Sequence, residues 1–278
     1  MHQRTLWAGV FVLAVLVGAC SDDDAATAIT VTIGADSITV PSEIEAGVVE
    51  VTLEGDVGAE SEVDFTRVAE GTTEEQFTGM MIGVVSGGPI PEILEDNAGV
   101  VAGPTPASVI LEPGSYFVWS EGAGAGEQPS LLVSEATVTG DGDGELPDTD
   151  GTFTARDYSF EVDVAAGDTF TFTNEGPNEF HHVVLANFGD LDPAVVEENL
   201  PAFVQADEAT PPPEAFADVD FENAFLPGSG VFSPGIGGTF SSTLESGNTY
   251  AVFCFLQDRT GGPPHAVAYN MYDVFQVP

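Results

Sequence analysis

Hydrophobic and polar residues alternate along much of the chain, and the same plan occurs twice. The segment ADSITVPSEIEAGVVEVTLEGDVGAESEVDFTRV begins at Ala35, and ARDYSFEVDVAAGDTFTFTNEGPNEFHHVVLANF begins at Ala155. Each indicates a strand, a turn with glycine, a strand, a polar turn and a third strand. In the second copy, Phe170 and Phe172 alternate with threonines, as in a half-buried strand. We therefore predict an internal repeat of two β-rich domains.

A helical periodicity follows the strands in each copy. In the first copy, Thr73 and Gln76 have the spacing of a capping box, and in the second Asp192 caps a helix whose first turn contains Pro193. The apolar stripes consist of Phe77, Met80, Met81 and Val84 in the first copy and of Val195, Val196, Leu200 and Phe203 in the second. Met80 and Met81 fit core packing better than a copper-trafficking methionine cluster, because their spacing is helical.

Both copies end in paired strands, LEPGSYFVWS from Leu111 and LESGNTYAVFC from Leu244. Short strands at this spacing are typical of β-sandwiches, so the predicted fold class is all-β, with two tandem β-sandwiches that each contain a short helix insertion. Between them lies TVTGDGDGELPDTDG, interpreted as a solvated linker and not a calcium loop, because Leu146 occupies the position where an EF-hand loop needs glycine. The predicted segments are a signal peptide (1–19), a tether (20–28), a first domain (29–139), an acidic linker (140–150) and a second domain (151–278).

The N-terminus has the pattern of a targeting segment. Arg4 precedes the apolar stretch Leu6 to Val17, which is too short to span a bilayer, and Val17-Gly18-Ala19-Cys20 resembles a bacterial lipobox. We expect Cys20 to be lipidated and to anchor the protein in the cell envelope, facing outside the cytoplasm. The alternative is an ordinary secretory signal with an incidental cysteine. If Cys20 carries lipid, Cys254 has no disulfide partner in the chain and is buried, bridged to another molecule or a metal ligand.

The charge of the chain is strongly negative. It has 4 arginines, no lysine and 46 acidic residues, for a net charge of −42. Nucleic acid is excluded as a partner, and anionic membranes repel the folded domains, so that only the N-terminal lipid attaches the protein to a membrane. Self-repulsion of this size destabilises a compact state unless salt screens it. A saline habitat, a cationic redox partner and a lineage with generally acidic secreted proteins each explain the composition.

The residues with metal-binding chemistry lie in the second copy. His181 and His182 open an apolar run, and Cys254, His265 and Met271 follow near the C-terminus. Two imidazoles, one thiolate and one weak thioether form the ligand set of a blue-copper electron-transfer site, so copper is the predicted cofactor. The alternative is that each is a core or turn residue. In the first copy, Glu62-Val63 aligns with the histidine pair and Ser120 with Cys254, which predicts a domain without metal ligands.

From Asp157 to Val277 the second copy resembles the cupredoxins, the plastocyanin and azurin group. The resemblance rests on a His-x-Val-Val strand, a Tyr-x-x-aromatic-Cys strand, and then His and Met near the end. It implies a Greek-key β-sandwich and the copper ligands His181, Cys254, His265 and Met271. In the family a polar residue and then an apolar pair follow the first ligand, which favours His181, with His182 as the alternative.

The spacing within the ligand loop departs from the family. Ten residues separate Cys254 from His265, and five separate His265 from Met271. Plastocyanin and azurin use only a few residues in each gap, whereas copper nitrite reductases use a longer first gap that contains proline. In this chain Gly261-Gly262-Pro263-Pro264 can form the turn that the loop requires.

The resemblance implies an extracytoplasmic, lipid-anchored, copper-binding protein that acts as a one-electron carrier. No enzymatic activity is expected, because nitrite reductases and multicopper oxidases need further histidines, and only three follow the predicted signal peptide. No hydrolase or nucleotide-binding motif and no small-molecule substrate is evident. Two alternatives remain: a metal-free envelope module that binds a protein or glycan, and a copper delivery or storage protein with a looser site.

Overall fold

The computed structural model describes residues 26–55, 58, 61–122, 130–142, 144–206 and 210–278. The predicted signal peptide, the lipidation site Cys20 and Asp143 of the linker lie outside these residues. Within the described ranges, no helix has both the length and the apolar character needed to cross a membrane.

The elements before the linker form the first sandwich. Its strands are β1 (Thr27–Gly34), β2 (Ser37–Thr39), β3 (Glu43–Glu45), β4 (Gly47–Gly55), β5 (Glu62–Val68), β6 (Leu94–Val101), β7 (Ala107–Leu111), β8 (Gly114–Gly122) and β9 (Ser130–Thr139). The helix α1 (Glu74–Val85) begins with the predicted capping box. The Thr73 hydroxyl accepts a hydrogen bond from the Gln76 N–H (3.3 Å), and the Gln76 side chain accepts one from the Thr73 N–H (3.0 Å).

The elements after the linker form the second sandwich. Its strands are β10 (Gly151–Arg156), β11 (Ser159–Val164), β12 (Gly167–Asn174), β13 (Val184–Asn187), β14 (Phe225–Leu226), β15 (Gly237–Leu244), β16 (Thr249–Phe253) and β17 (Tyr272–Gln276). Its helices are α2 (Pro193–Val204), a 3-10 turn (Glu214–Phe216), α3 (Phe221–Ala224) and α4 (His265–Ala268). The Asp192 carboxylate caps α2 by accepting a hydrogen bond from the Ala194 N–H (2.9 Å).

One long sheet runs through both sandwiches, in the order β11-β10-β12-β15-β7-β4-β1-β2. The antiparallel pair Gly238–Val109 joins β15 to β7 at its middle. Outward from this junction, both sides show the same succession of an antiparallel, a parallel and an antiparallel pairing. The sequence repeat therefore corresponds to two halves related by an approximate twofold axis through the centre of the sheet.

A separate sheet closes each sandwich. The sheet β3-β9-β8-β5-β6 covers the first half of the long sheet, and β14-β13-β16-β17 covers the second. Phe77 and Met81 of α1 are buried in a cluster on the outer face of the first of these sheets. The prediction of an all-β protein built from two β-sandwiches with short helix insertions is confirmed.

The strand β1 begins at Thr27, within the segment 20–28 assigned above to the tether. Its alternating residues Ile29, Val31 and Ile33 are buried, and β1 pairs in parallel with β4. The described residues of the linker form no strand, and β10 begins at Gly151.

Two of the three arginines of the described chain form ion pairs. Arg67 forms ion pairs with Asp96 and Glu95, and Arg156 forms them with two glutamates at 3.0 and 3.3 Å. Because acidic residues outnumber basic ones more than tenfold, most carboxylates have no positive partner. Repulsion among them opposes folding.

Salt is therefore expected to stabilise the protein. Raising NaCl from about 0.05 M to about 1 M should raise the melting temperature by at least about 5 °C, because the screening length falls below the spacing of the surface charges. Differential scanning calorimetry measures the shift. Screening saturates at moderate ionic strength. A rise that continues linearly and is larger for sulfate than for chloride would instead indicate a salting-out effect on apolar burial.

Candidate metal centre

Cys254 directly follows β16, and its backbone is held on both sides. Its N–H donates to the Met271 carbonyl (3.2 Å), which extends the pairing of β16 with β17, and its carbonyl accepts from the Ala266 N–H (2.8 Å). The five residues of β16 are all buried, so the strand delivers the thiol into the interior.

His181 precedes β13 and pairs with Phe232 through two backbone hydrogen bonds of 2.9 and 3.1 Å. Its neighbours of the same parity, Val183 and Leu185, are buried, so its side chain lies on the core side of the sheet. His182 lies on the other side, where its Nε2 accepts a hydrogen bond from the Phe255 N–H (2.9 Å). The structure thus brings His181 to the site, while His182 supports the backbone of the ligand loop.

His265 is the first residue of α4. Its N–H donates to the Leu256 carbonyl (2.7 Å), which closes the loop back on its own beginning. The turn before it contains Gly261 and Gly262 at φ values of +84° and +132°, which side chains with a Cβ rarely adopt. The glycine pair therefore reverses the chain and returns His265 to Cys254.

The three donor groups converge on one point. The Sγ of Cys254 lies 3.6 Å from Nδ1 of His181 and 3.5 Å from Nδ1 of His265, and ligand atoms of all three residues lie within 4.8 Å of one another. Sulfur and nitrogen bound to one ion at about 2.3 and about 2.0 Å, at an angle of about 110–120°, are about 3.5–3.7 Å apart. The separations therefore fit a shared metal ion, and the donor types suit copper.

Met271 reaches the same place through its backbone. Its N–H donates to the His265 carbonyl (3.2 Å), and its own carbonyl accepts from Cys254, so it is fixed between the other two loop residues. Like His181, Cys254 and His265, it has a solvent exposure of 0%. A buried methionine whose backbone bonds to Cys254 and His265 has the side-chain type of the weak axial ligand in a blue-copper set.

Burial sets the ionisation of these groups. It raises the pKa of the Cys254 thiol to about 11, and burial with the proximity of His265 and His182 lowers the pKa of His181 to about 3. Burial also lowers the pKa of His265, against the opposing pull of the Asp258 charge. At neutral pH the three donors are therefore a thiol and two neutral imidazoles, of which only the thiol must lose a proton to bind a metal.

Asp258 is a site residue that the sequence reasoning missed. Its carboxylate accepts hydrogen bonds from the Tyr158 hydroxyl (3.0 Å) and the Tyr269 hydroxyl (2.6 Å), and it lies 3.2 Å from Nε2 of His265. The His265 N–H is not directed at the carboxylate, so this third contact is electrostatic and not a hydrogen bond. Burial raises the pKa of Asp258, but the contacts with Tyr269, Tyr158 and His265 outweigh it and lower the pKa. Such a carboxylate orients a ligand imidazole from behind.

The long gap between Cys254 and His265 has a structural role, because its residues dock on the first sandwich. The Gln257 side chain donates to the Gly88 carbonyl (3.1 Å), and the Arg259 carbonyl accepts from the Ile90 N–H (2.8 Å). The Arg259 guanidinium donates to the Leu94 carbonyl (3.2 Å) and lies 4.5 Å from the centre of the Phe180 ring. Contacts with the neighbouring sandwich therefore hold the additional residues of the loop in place.

Comparison with known proteins gives weak likenesses. No protein-family model matches the chain, and no curated protein matches it. Among solved structures, Na-dithionite-reduced auracyanin from the photosynthetic bacterium Roseiflexus castenholzii is 19% identical, with 46% of this chain and 94% of that chain covered and a TM-score of 0.29.

Two larger proteins are similar over more of the chain. The Cu-containing nitrite reductase of Thermus scotoductus SA-01 is 10% identical over 91% of this chain, and a multi-copper oxidase of Pediococcus acidilactici is 9% identical over 91%, both with a TM-score of 0.20. The chain spans only 62% and 59% of their lengths. At these TM-scores the similarities do not assign a fold or a function to this chain. The β-sandwich fold that the cupredoxin resemblance implies is confirmed by the strand order of the protein itself.

The raised pKa of Cys254 predicts that metal binding releases protons. At pH 7 the uptake of one Cu(II) should release about one proton, and the apparent affinity should rise by about tenfold per pH unit between about pH 6 and pH 9. The sign follows because the thiol is protonated over this whole range and the metal competes with its proton. Calorimetric titration in buffers of different ionisation enthalpy counts the protons. Release of none would contradict a thiolate ligand.

The docking of the loop predicts that Arg259→Ala disturbs the site from a distance. Loss of the Phe180 and Leu94 contacts should cost about 1–3 kcal/mol of unfolding free energy. It should also shift the visible and electron paramagnetic resonance spectra of the copper-loaded protein. Arg156→Ala is the matched control, because Arg156 is exposed and its ion pairs are worth about 0–1 kcal/mol. Equal effects of the two substitutions would mean that the docking does not support the loop.

Proposed function

We propose that the protein is an extracytoplasmic, lipid-anchored, copper-binding protein that carries single electrons. The observation that supports this most directly is the convergence of Cys254, His181 and His265 at a fully buried point, with Met271 between the two loop ligands. The ligands come from two distant segments of the chain, the segment before the Val184–Asn187 strand and the loop that follows β16. Core packing alone does not require two imidazoles to face a thiol.

The donor set is suited to electron transfer. Copper bound there supplies a one-electron redox centre, since thiolate and thioether favour Cu(I) and imidazole suits both oxidation states. His181 is held by the backbone pair with Phe232, Cys254 by the β16–β17 ladder, and His265 by α4. Ligands fixed in this way move little between oxidation states, which keeps the reorganisation energy of electron exchange low.

The same arrangement argues against further catalysis. Among the described residues, the other group that could hold a metal ion is Glu179, Asp258 and His265, which shares His265 with the first. His182 is engaged with the loop backbone, so no further histidine of the described residues is available for a second copper centre. The ligands have no exposed surface through which a substrate could reach them. The proposed role is therefore electron exchange without an enzymatic step.

Electrons would cross the surface near the ligand loop. Phe255, next to Cys254, is 36% exposed, and Tyr269, which stacks on Tyr158 at 3.8 Å beside His265, is 42% exposed. The chain has a net charge of −42, so the proposed redox partner is a cationic protein. The lipid at Cys20 would hold the protein at the membrane.

A copper titration with three variants tests the proposal. The purified protein is titrated with Cu(II) and the visible spectrum recorded, together with Cys254→Ser, His181→Ala and His182→Gln. We expect an intense thiolate-to-copper band that Cys254→Ser abolishes and His181→Ala removes or strongly shifts. His182→Gln is the matched control. It retains an acceptor for the Phe255 N–H and should keep the band.

The other outcomes assign the alternatives. Stoichiometric Cu(I) binding without a visible band in the Cu(II) form would indicate a copper delivery or storage protein. Absence of copper binding in either oxidation state would reject the proposal and favour a metal-free module. Equal loss of the band in His181→Ala and His182→Gln would mean that both substitutions act on the fold and not on ligation.

A further inference from the structure

A large cavity lies beside α1 and the strands β5, β6 and β8 of the first sandwich. Its volume is about 1440 Å³, and its wall includes Glu62 and Ser120, the residues that align with the histidine pair and with Cys254. Phe180, Val231 and Leu256 of the second sandwich complete the wall. Pockets for small organic molecules have volumes of about 300–1000 Å³, so the space is sufficient for one.

The polar side of the cavity contains two carboxylates on one face of β5. Asp64 is only 6% exposed, and its Oδ1 accepts a hydrogen bond from the Asn97 side chain (2.6 Å). The Oε1 of Glu62 accepts one from the Val231 N–H (3.0 Å). No N–H or O–H group of the described residues donates to Oδ2 of Asp64 or to Oε2 of Glu62.

A buried network fixes the position of Asp64. The Trp119 indole donates to the Thr66 hydroxyl (2.8 Å), Thr66 donates to the Asn97 carbonyl oxygen (2.6 Å), and the Asn97 amide donates to both Asp64 and the Val231 carbonyl. Three side chains are thus arranged to orient one carboxylate. Its second oxygen accepts no hydrogen bond from the described residues.

These two carboxylates have no counter-charge from the protein. The described residues that line the cavity include no lysine, arginine or histidine. The chain has no lysine, and the arginines of its described part are engaged elsewhere, Arg67 with Asp96, Arg156 with exposed glutamates and Arg259 with Phe180. Burial accordingly raises the pKa of Asp64 to about 7 and, with the charge of Asp64, raises that of Glu62 well above its usual range.

The wall also contains Asp36 and Glu121, and much of the rest is apolar or aromatic. It includes Met81, Val84, Ile90 and Leu132 together with Trp119, and the side chains of Phe180 and Leu256 extend it. A bare metal ion does not fit this environment. Among the described residues, no third carboxylate, cysteine or histidine lies close enough to Glu62 and Asp64 to form a ligand group. An organic molecule can contact both the apolar wall and the carboxylates.

We propose that this cavity binds a small organic cation, an ammonium group on an apolar body. The ammonium group lies against Asp64 and Glu62 and supplies the counter-charge that the chain lacks. The apolar body packs on the aliphatic wall. The ring of Trp119 is part of the same wall, and indole rings attract cations. This site is separate from the copper proposal, because neither its residues nor its ligand includes the metal.

Two nearly isosteric probes test the charge requirement. The full protein is titrated with 2-phenylethylammonium and with neutral 2-phenylethanol, and binding is followed by Trp119 fluorescence and by calorimetry. About 1 M NaCl is present, so that the net charge of −42 does not attract cations non-specifically. We expect the ammonium compound to bind at least about tenfold more tightly than the alcohol. Trp119→Phe identifies the fluorescence signal.

Asp64→Asn tests the residue that is proposed to hold the charge. Because it removes a buried charge and keeps a hydrogen-bond acceptor for Asn97, it should raise the melting temperature of the free protein while weakening 2-phenylethylammonium by at least about tenfold. Glu135→Gln, exposed on β9 and outside the cavity, is the matched control and should change neither. Calorimetry keeps the measurement independent of fluorescence.

Several results would overturn the proposal. These are equal binding of the ammonium compound and the alcohol, unchanged binding in Asp64→Asn, and displacement of the probe by millimolar Ca²⁺ or Mg²⁺, which would indicate a metal-ion site. Absence of binding at millimolar probe would show that the two carboxylates are simply protonated. None of these results affects the copper titration, so the two proposals fail independently.

Discussion

The antiparallel pairing of β16 with β17 is the constraint on which the rest of the second sandwich depends. It continues past the strand ends into the hydrogen bond between Cys254 and Met271, so the first and last residues of the ligand loop lie side by side. The loop between them can then be long without separating its ligands. His265 is returned by its bonds to Leu256 and by the glycine turn. A one-residue slip of this register would turn Cys254 away from His181.

The two sandwiches form one continuous structure. They share the eight-stranded sheet, and the hydrophobic core contains residues from both, among them Val109 and Phe232. The ligand loop then uses the first sandwich as a support through Gln257 and Arg259. This arrangement gives the first sandwich a structural function, although the sequence predicts a domain without metal ligands. It also explains how a ten-residue gap can be tolerated between Cys254 and His265, two of the proposed ligands.

The metal centre of the second sandwich and the cavity of the first both bury ionisable groups. Each buries polar groups that water would otherwise solvate, and burial shifts their pKa values toward the neutral forms. In the metal centre, neutral donors are complementary to a metal cation that displaces a proton. In the cavity, the carboxylates are complementary to an organic cation. In neither place does an arginine of the described residues supply the positive charge, because all three are engaged elsewhere.

Local patterns in the sequence determined the parts of the protein that depend on neighbouring residues. The alternation of Phe170 and Phe172, the capping box of Thr73 and the repeat itself predicted strands, helices and two sandwiches. The family pattern, in which a polar residue and then an apolar pair follow the first ligand, favoured His181 over His182. The strands and helices follow from their periodicity, which a sequence displays directly.

Only the tertiary structure decided the features that depend on groups far apart in the chain. The role of Asp258 depends on Tyr158, a hundred residues earlier, and the function of the long loop depends on a carbonyl of Leu94. The cavity exists because β5, β8 and the second sandwich meet around Asp64. No short-range pattern carries this information, because hydrogen-bond partners, burial and missing counter-charges are fixed by packing between distant segments.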